Sequence, residues 1–435
     1  MAGAGRTAAS DFRIYVPEDV RRILETIENA GYEAYVVGGC VRDCALGLPP
    51  HDWDITTSAL PLDIKRLFYR TVDTGIKHGT VTVMSGSHGY EVTTYRIDGT
   101  YADGRHPDNV EFTDRLSEDL KRRDFTINAM AYSDSRGLVD LFGGREDLAR
   151  HVVRCVGIPY ERFGEDALRM MRAIRFSAQL GFSIEKDTAD AIVDLADNIK
   201  LVSMERVQAE LTKTLLSPNP AHCSLYTDMG LFRKILPEID QAFEMTRREK
   251  TIRLLESLPA DKTLRYAGLL YFETPQAAVK TLRHLKMDNQ TIRGVKTLLI
   301  AKDIHIEENE ASVRRALHTY GQDDLKLIAE FDDGMTAAKE KITGFPLRRH
   351  RAHRLALDRL LETVVSRNDP VNISDLNITG SDLMAAGFEG REIGEILDRL
   401  LSLVIEKPEL NKKEILEGYV NRMSGRSNMG KGERS

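Results

Sequence analysis

Short β-like runs that alternate with turns are confined to about the first 150 residues, and this limit constrains the fold more than any other sequence feature. The predicted strands are Ala34–Val37, Asp52–Thr56, Thr80–Met84, Tyr90–Tyr95 and Ala129–Tyr132, and the predicted helices are Pro17–Ala30, Cys40–Leu46 and Pro61–Tyr69. Strands and helices mixed in this way favour a mixed β-sheet. The sequence therefore predicts an N-terminal α+β domain.

From about Glu161 onward, apolar residues recur with helical spacing. Helices are predicted over Ala167–Leu180, Thr188–Ala196, Met204–Leu216 and Glu392–Val404, and proline-containing breaks at 217–220, 237, 344–346 and 368–370 separate further segments. The last dozen residues, rich in Gly, Ser, Lys and Arg, are predicted to be disordered. The remainder of the chain is thus expected to be all-α.

Composition is that of a soluble globular protein. Of 435 residues, 42% are hydrophobic and 29% charged. No run approaches the ~20 apolar residues of a membrane helix, and the N-terminus lacks the apolar core of a secretory signal. The four cysteines show no zinc-ribbon spacing, and the net charge of −6 is compatible with RNA only through a local basic patch. We expect a cytoplasmic protein without a membrane partner, and nothing implies a protein partner.

A glycine turn follows the first predicted strand. Gly38 and Gly39 lie between that strand and a short helix, and Arg42 lies one turn into the helix. Glycines let the backbone approach a ligand closely, and the first N–H groups of a helix bind anions. Arg42 can donate two hydrogen bonds to phosphate oxygens. The segment predicts a phosphate site.

Two aspartates, Asp52 and Asp54, follow this turn. They lie two apart on the predicted strand Asp52–Thr56, so their carboxylates are expected to leave the same face while Trp53 points into the core. Paired carboxylates suit Mg²⁺, and phosphoryl transfer uses such ions at the attacking and leaving oxygens. An isolated Asp-x-Asp is more often a surface turn, but the glycine turn before it favours a metal site.

Glu91, on the predicted strand Tyr90–Tyr95, is a candidate third acid. It would complete the metal site or activate an attacking hydroxyl group. The alternative is a strand glutamate that faces solvent.

Five segments together resemble the motifs of class II tRNA nucleotidyltransferases and bacterial poly(A) polymerases, in the order of that family. They are Gly38-Gly39-x-Val41-Arg42-Asp43 with Asp52-x-Asp54, residues 122–129, residues 140–148, residues 165–176 and residues 205–211. The resemblance implies a seahorse-like molecule. Its parts would be a nucleotidyltransferase head (1–150), a base-recognising neck (151–216), a body (217–330), a tRNA-binding tail (331–422) and a disordered end (423–435).

The resemblance also implies roles for individual residues. Asp52 and Asp54 would hold the metal, Gly39 and Arg42 the triphosphate, Arg123 the nucleotide, Asp166 and Arg169 the base, and Arg172 and Arg175 would support them. In the charged segment around Arg123, Asp124 or Asn128 could also hydrogen-bond ribose hydroxyls.

Asp166 and Arg169 have the chemistry that base selection needs. Spaced three apart, they are expected to be neighbours on one helix. A carboxylate only accepts hydrogen bonds and a guanidinium only donates them, which matches the amino group and ring nitrogen shared by cytosine and adenine. Uracil and guanine present the reverse order. An exposed helix ion pair is the alternative interpretation.

A glycine-punctuated segment, Arg96–Pro107, resembles the flexible loop with which complete CCA-adding members switch from C to A; Asp103 and Arg105 are its candidate residues. We therefore expect CCA addition to tRNA from CTP and ATP. A-only enzymes and poly(A) polymerases are the alternatives, and a non-catalytic RNA-binding protein is a remote one.

Arg348, Arg349 and Arg351 belong to a basic cluster predicted either to bind tRNA or to form an ordinary solvated helix face.

Overall fold

The structure is a computed structural model that describes residues 13–99 and 110–423. Its contacts divide the chain into two compact units. The first unit comprises Met1–Glu256 with Lys280–Asp288, and the second comprises Ser257–Val279 with Asn289–Ser435.

The β-strands lie almost entirely in the N-terminal part of the first unit. They are β1 (Ala34–Val37), β2 (Ile55–Thr57), β3 (Thr71–Gly75), β4 (Thr80–Ser85), β5 (His88–Thr94), β6 (Arg96–Asp98), β7 (Val110–Phe112), β8 (Met130–Ser133), β9 (Gly137–Asp140), β10 (Val152–Val153) and β11 (Ser183–Ile184). Seven of them form one sheet in the order β3-β4-β5-β2-β1-β8-β9. The β2 and β5 strands run parallel and the other neighbours antiparallel, so the sheet is mixed.

Burial explains why this sheet forms. All four residues of β1 are buried, as are all four of β8, because these central strands are covered on both faces. The helix before β1 buries Val20, Ile23, Leu24 and Ile27, one apolar face at helical spacing. The helices of this region are α1 (Glu18–Asn29), α2 (Gly39–Ala45), α3 (Pro61–Leu67), α4 (Leu116–Lys121) and α5 (Gly144–Ala149).

Helices dominate the rest of the chain. They are α6 (Pro159–Glu165), α7 (Leu168–Leu180), α8 (Lys186–Asp194), α9 (Met204–Leu215), α10 (Leu225–Asp228), α11 (Leu231–Ile235), α12 (Pro237–Asp240), α13 (Met245–Ser257), α14 (Lys262–Leu269), α15 (Pro275–His284), α16 (Asn289–Ala301), α17 (Glu310–Thr343), α18 (Arg348–Ser366), α19 (Gly380–Ala385), α20 (Arg391–Glu406) and α21 (Lys413–Met423). Within the described ranges, no helix is long and apolar enough to cross a membrane.

The second unit has its own apolar cores. One lies around Val313, Leu325 and Val364, between α17 and α18. Another is formed by α19, α20 and α21. Helix α17 changes direction at Gly321, whose φ of 74° is non-helical. The predicted boundary between body and tail, 330/331, falls inside α17.

The predicted fold class is confirmed, with local corrections. Strand β1 has the predicted bounds, but β2 begins at Ile55, so Asp52 and Asp54 precede the strand instead of lying on it. Trp53 is half-buried and is not a core residue. The part after residue 150 is not wholly helical, because β10 and β11 form a short parallel pair. Strands β3 and β9 were missed because they are only half-buried or exposed and lack an apolar alternation.

Gly144 lies so close to the buried turn at Thr126 that a larger residue there should destabilise the fold. A Cβ atom at Gly144 would overlap the carbonyl oxygen of Thr126 and lie 2.9 Å from Cγ of Met130. We expect Gly144→Ala to destabilise the first unit by about 2 kcal/mol and to lower its Tm by several degrees in thermal unfolding. The control is Gly164→Ala at an exposed position of helix α6, where nothing lies within 4 Å and a gain of about 0.5–1 kcal/mol is expected. Equal Tm changes in the two variants would contradict the packing argument.

Candidate active site

The glycine turn brings the backbone against an arginine side chain. Gly38, with φ 80° and ψ −125°, precedes helix α2 and donates its N–H to the carbonyl of Met130 at 3.1 Å. A Cβ atom there would lie 3.0 Å from Nη1 of Arg123. Both the positive φ and this contact require glycine. The guanidinium of Arg123 therefore lies directly over the turn.

The three candidate acids lie at one edge of this turn. Strand β2 pairs with β5 so that Ile55 faces Val92, and Asp54 and Glu91 are the residues directly before this pair. Asp52, Asp54 and Glu91 are all exposed. Although the residue is exposed, protein atoms surround much of the Asp54 carboxyl group, and this partial desolvation raises its pKa. Arg123 opposes the rise in pKa, whereas the negative charges of Glu91 and Asp52 add to it.

A fully buried carboxylate holds the second motif in place. Asp119 accepts hydrogen bonds from Arg122 at 2.7 Å, from Arg123 at 3.3 Å and from Thr56 of β2 at 3.1 Å. Burial alone would raise the pKa of Asp119, but Arg122 and Arg123 lower it below its ordinary value. Arg123 thus links the buried Asp119 to the rim formed by Asp52, Asp54 and Glu91. Its Nε is buried and still lacks a hydrogen-bond acceptor among the described residues.

Asp124 and Asn128 join the glycine turn to helix α7. Arg42 donates to Oδ1 of Asn128 at 2.6 Å, and Asn128 donates to Asp124 at 3.2 Å. The other oxygen of Asp124 accepts two hydrogen bonds from Arg172 at 2.7 and 2.8 Å. Burial alone would raise the pKa of Asp124, but chiefly Arg172 lowers it to about 2. Asp124 therefore stays ionised across the physiological range.

Phe176 of α7 lies among three guanidinium groups. The distances from their central carbons to the ring centroid are 5.2 Å for Arg42, 5.4 Å for Arg172 and 3.9 Å for Arg175. The buried Glu210 of α9 accepts a hydrogen bond from Arg175 at 2.5 Å. Aromatic faces attract cations, so ring and carboxylate together hold three like charges close together. Each of these guanidinium groups is also paired with a carboxylate, so the cluster is a network of ion pairs: Arg42 with Asp43, Arg172 with Asp124 and Arg175 with Glu210.

Asp166 and Arg169 do not have the predicted arrangement. Helix α6 ends at Glu165, and Asp166 lies in the extended link before α7, so the two side chains are not on one helix. Asp166 forms a bidentate ion pair with Arg206 of α9, at 2.8 and 3.2 Å. Arg169 donates to Glu165 at 2.5 Å and to the carbonyl of Arg122 at 3.2 Å. Each predicted base-recognition group is therefore held by a different partner.

The remaining candidate residues lie elsewhere. Asp103 and Arg105 are outside the described residues. Arg348 and Arg349 are exposed and line a cleft of about 1060 Å³ in the second unit. Arg351 is exposed but forms an ion pair with Glu340. That pair leaves Arg351 less available for phosphate than its two neighbours.

Four acidic or basic residues of the site had no individual role predicted from the sequence, namely Asp119, Glu165, Arg206 and Glu210, although the last three lie in the motif segments 165–176 and 205–211. Asp119 precedes Arg122 and Arg123 at i,i+3 and i,i+4, a spacing that could have identified it. Glu165 is likewise four residues before Arg169. No local spacing indicated the partners of Arg206 and Glu210, because these partners are 40 and 35 residues away.

Known protein families match most of the chain, in three segments. Residues 34–154 match the family described as the poly A polymerase head domain, and residues 181–243 match a probable RNA and SrmB-binding site of polymerase A. Residues 260–420 match a putative second domain of tRNA nucleotidyltransferases. The CCA-adding enzyme of Lactiplantibacillus plantarum is 38% identical over 93% of this chain and 96% of its own length. That of Levilactobacillus brevis is 40% identical over 93% and 98%, respectively.

The chain belongs to the family of CCA-adding enzymes. A solved structure of the Bacillus stearothermophilus CCA-adding enzyme in complex with CTP is also similar, with a TM-score of 0.75 and 32% identity over 93% of this chain and 97% of that one. A Thermotoga maritima CCA-adding enzyme complexed with tRNA shares the fold, with a TM-score of 0.59 at 21% identity over 94% of this chain and 96% of that one. The head-domain match of this CCA-adding family member includes the glycine turn, the three acids and Arg123.

The raised pKa of Asp54 predicts a stability effect with a defined pH dependence. Folded protein holds the Asp54 proton more tightly than unfolded chain does, so ionised Asp54 lowers the free energy of unfolding above its ordinary pKa. In a chelating buffer, we expect Asp54→Asn to have a higher Tm than wild type at neutral pH. The difference should shrink as the pH falls toward the ordinary carboxyl value.

Thermal unfolding between about pH 4 and pH 7 measures this difference. Asp114→Asn, at another exposed position of the first unit, controls for the loss of one negative charge. A Tm difference for Asp54→Asn that is constant over this range would contradict the electrostatic origin.

Proposed function

We propose that this protein adds CCA to the 3′ end of tRNA, using CTP and ATP without a template and releasing pyrophosphate. The observation that carries the proposal is similarity to CCA-adding enzymes over at least 96% of the length of two relatives. The acids, arginines and base-recognition pair that the family motifs require are all present. The proposed partners are tRNA, CTP and ATP, and the proposed location is the cytoplasm.

Asp52 and Asp54 fit a site for Mg²⁺. Both carboxylates are exposed at the same rim, and the charges of Asp52 and Glu91 act on Asp54, an electrostatic repulsion that a divalent cation would relieve. In the described part of the chain, no group of three or more ligands is already assembled, so nucleotide phosphates would complete the coordination. When bound, the ion would polarise the α-phosphate and stabilise the charge on the attacking and leaving oxygens.

The surrounding arginines would hold the triphosphate. Arg123 lies over Gly38, at the rim with the acids, and its Nε has no partner among the described residues. Arg42 of α2, just after the glycine turn, donates to Asn128 and forms an ion pair with Asp43. Charged hydrogen bonds from these groups to phosphate oxygens would orient the α-phosphate for in-line attack by the tRNA 3′-hydroxyl. Glu91, beside Asp54, would receive or orient the proton of that hydroxyl.

Asp124, Arg172 and Arg175 would support the site rather than touch the base. Both oxygens of Asp124 already accept hydrogen bonds from the protein, which favours a positioning role over contact with ribose. Arg172 and Arg175 are held by Asp124 and Glu210. In the second unit, exposed Arg348 and Arg349 would contribute to tRNA phosphate binding.

The experiment that tests the function is incubation with Mg²⁺, labelled CTP and labelled ATP. Its substrates are tRNAs that end before CCA, after C and after CC. Extension of all three to CCA is expected. Extension of only the CC end would indicate an A-only enzyme, and long adenylate tails would indicate a poly(A) polymerase. Binding of tRNA without any extension would contradict the proposal.

Removing either rim aspartate should separate chemistry from RNA binding. We expect Asp52→Ala and Asp54→Ala each to lower kcat by about 10³-fold, because the lost carboxylate no longer holds charge at the reacting phosphate. The Kd for tRNA should change less than about threefold, because phosphate contacts dominate RNA affinity. Single-turnover extension and filter binding measure the two quantities. Near-normal turnover in either variant would contradict the metal assignment.

Asp166 should determine the discrimination between C and U. In Asp166→Ala, the acceptor for the exocyclic amine is lost, while the phosphate contacts stay. We expect the ratio of kcat/KM for CTP to that for UTP to fall about 10- to 100-fold, corresponding to the loss of one buried contact of ~1–3 kcal/mol. An unchanged ratio would place base recognition elsewhere.

A further inference from the structure

A half-buried ion pair connects the proposed base-recognition carboxylate to a helix that is distant in sequence. Asp166 lies in the link between α6 and α7, and Arg206 lies in the first turn of α9. Nη1 of Arg206 donates to Oδ1 of Asp166 at 3.2 Å, and Nη2 donates to Oδ2 at 2.8 Å. The two side chains are only 22% and 15% exposed, so the pair is largely shielded from solvent. Shielding and bidentate geometry make it stronger than an exposed pair.

The hydrogen bonds of Asp166 can be counted against its capacity. An ionised carboxylate has about four acceptor directions, two on each oxygen. Oδ1 accepts from Arg206 and from the backbone N–H of Leu168 at 3.0 Å, whereas Oδ2 accepts only from Arg206 among the described groups. One acceptor direction therefore remains, and it lies on Oδ2. A single remaining acceptor suits one exocyclic amine.

Two parallel hydrogen bonds fix the plane of a carboxylate, which a single bond does not. The bond from Leu168 alone would leave Asp166 free to rotate about its side-chain torsions. With Arg206 in place, the remaining direction of Oδ2 has one orientation. Uracil offers a carbonyl oxygen where cytosine offers its amine, so a fixed acceptor at that point repels uracil.

We propose that Arg206 is a positioning residue for base selection: it holds the Asp166 carboxylate in the one orientation that accepts the amine of C or A. The proposal rests on the proposed function, in which Asp166 recognises the base. Arg206 does not itself need to touch the nucleotide. A purely structural role would instead affect stability and all nucleotides alike.

The test compares Arg206→Met and Arg206→Lys with wild type in kcat/KM for CTP and for UTP. The substrate is a tRNA that ends before the first C. The control is Arg248→Met, because Arg248 also forms a bidentate pair with an aspartate of the first unit, Asp228, at 2.7 Å for both bonds. Arg206→Met should lower the CTP-to-UTP ratio about 10-fold or more, whereas the control should leave it unchanged.

Two further comparisons separate positioning from general damage. Arg206→Lys, which keeps a charged donor but loses the bidentate geometry, should recover part of the ratio; it also serves as the test if Arg206→Met fails to fold. In the Asp166→Ala background, Arg206→Met should cause no further loss of the ratio, because it acts through Asp166.

An unchanged ratio in Arg206→Met would overturn the proposal. So would an equal loss of kcat/KM for both nucleotides, or a further loss of the ratio in the double variant. Failure of wild type to incorporate CTP at all would instead reject the proposed function, which keeps the two failures distinct.

Discussion

The ion pair between Asp124 and Arg172 is the interaction on which the site depends. It joins the segment before β8 to helix α7, and it is largely buried, with Asp124 10% and Arg172 33% exposed. Through Asn128 the same carboxylate also holds Arg42 of the glycine turn. Removing one partner of a buried pair leaves an uncompensated charge, typically at a cost of about 3–5 kcal/mol. The region of the glycine turn and helix α7 are thus held together by one buried charge.

Charge is segregated within this first unit. Acids lie at the exposed rim, where mutual repulsion and desolvation raise the pKa of Asp54. Behind them lie guanidinium groups grouped around Phe176 and held by buried carboxylates such as Glu210. The exposed acids are unfavourable for stability because like charges are brought together, whereas each guanidinium group is paired with a carboxylate. In the proposed function, a bound cation would relieve the repulsion among the acids, so the site would give up stability for function.

Base recognition illustrates how spacing along the chain can mislead. The i,i+3 interval between Asp166 and Arg169 suggested neighbours on a helix, but α6 ends at Glu165 and the chain is extended at Asp166. The residue types were informative because hydrogen-bond chemistry depends on the side chain alone. The hydrogen-bond partners could not be predicted in this way, since Arg206 reaches Asp166 only through the packing of α9 beside α7. Spacing would have been informative at the end of α4, where Asp119 pairs with Arg122 three residues later, but Asp119 was not predicted.

The sequence by itself determined the α+β class, the bounds of β1, the glycine turn at Gly38 and the set of polar residues expected at the site. These follow from periodicity, from backbone sterics and from motif chemistry, all of which act over a few residues. Only the tertiary structure decided where β2 begins, that β10 pairs with β11, and that Asp166 is held by Arg206. Pairings of this kind join residues tens of positions apart. Their partners are selected by how helices and strands pack, which no local pattern encodes.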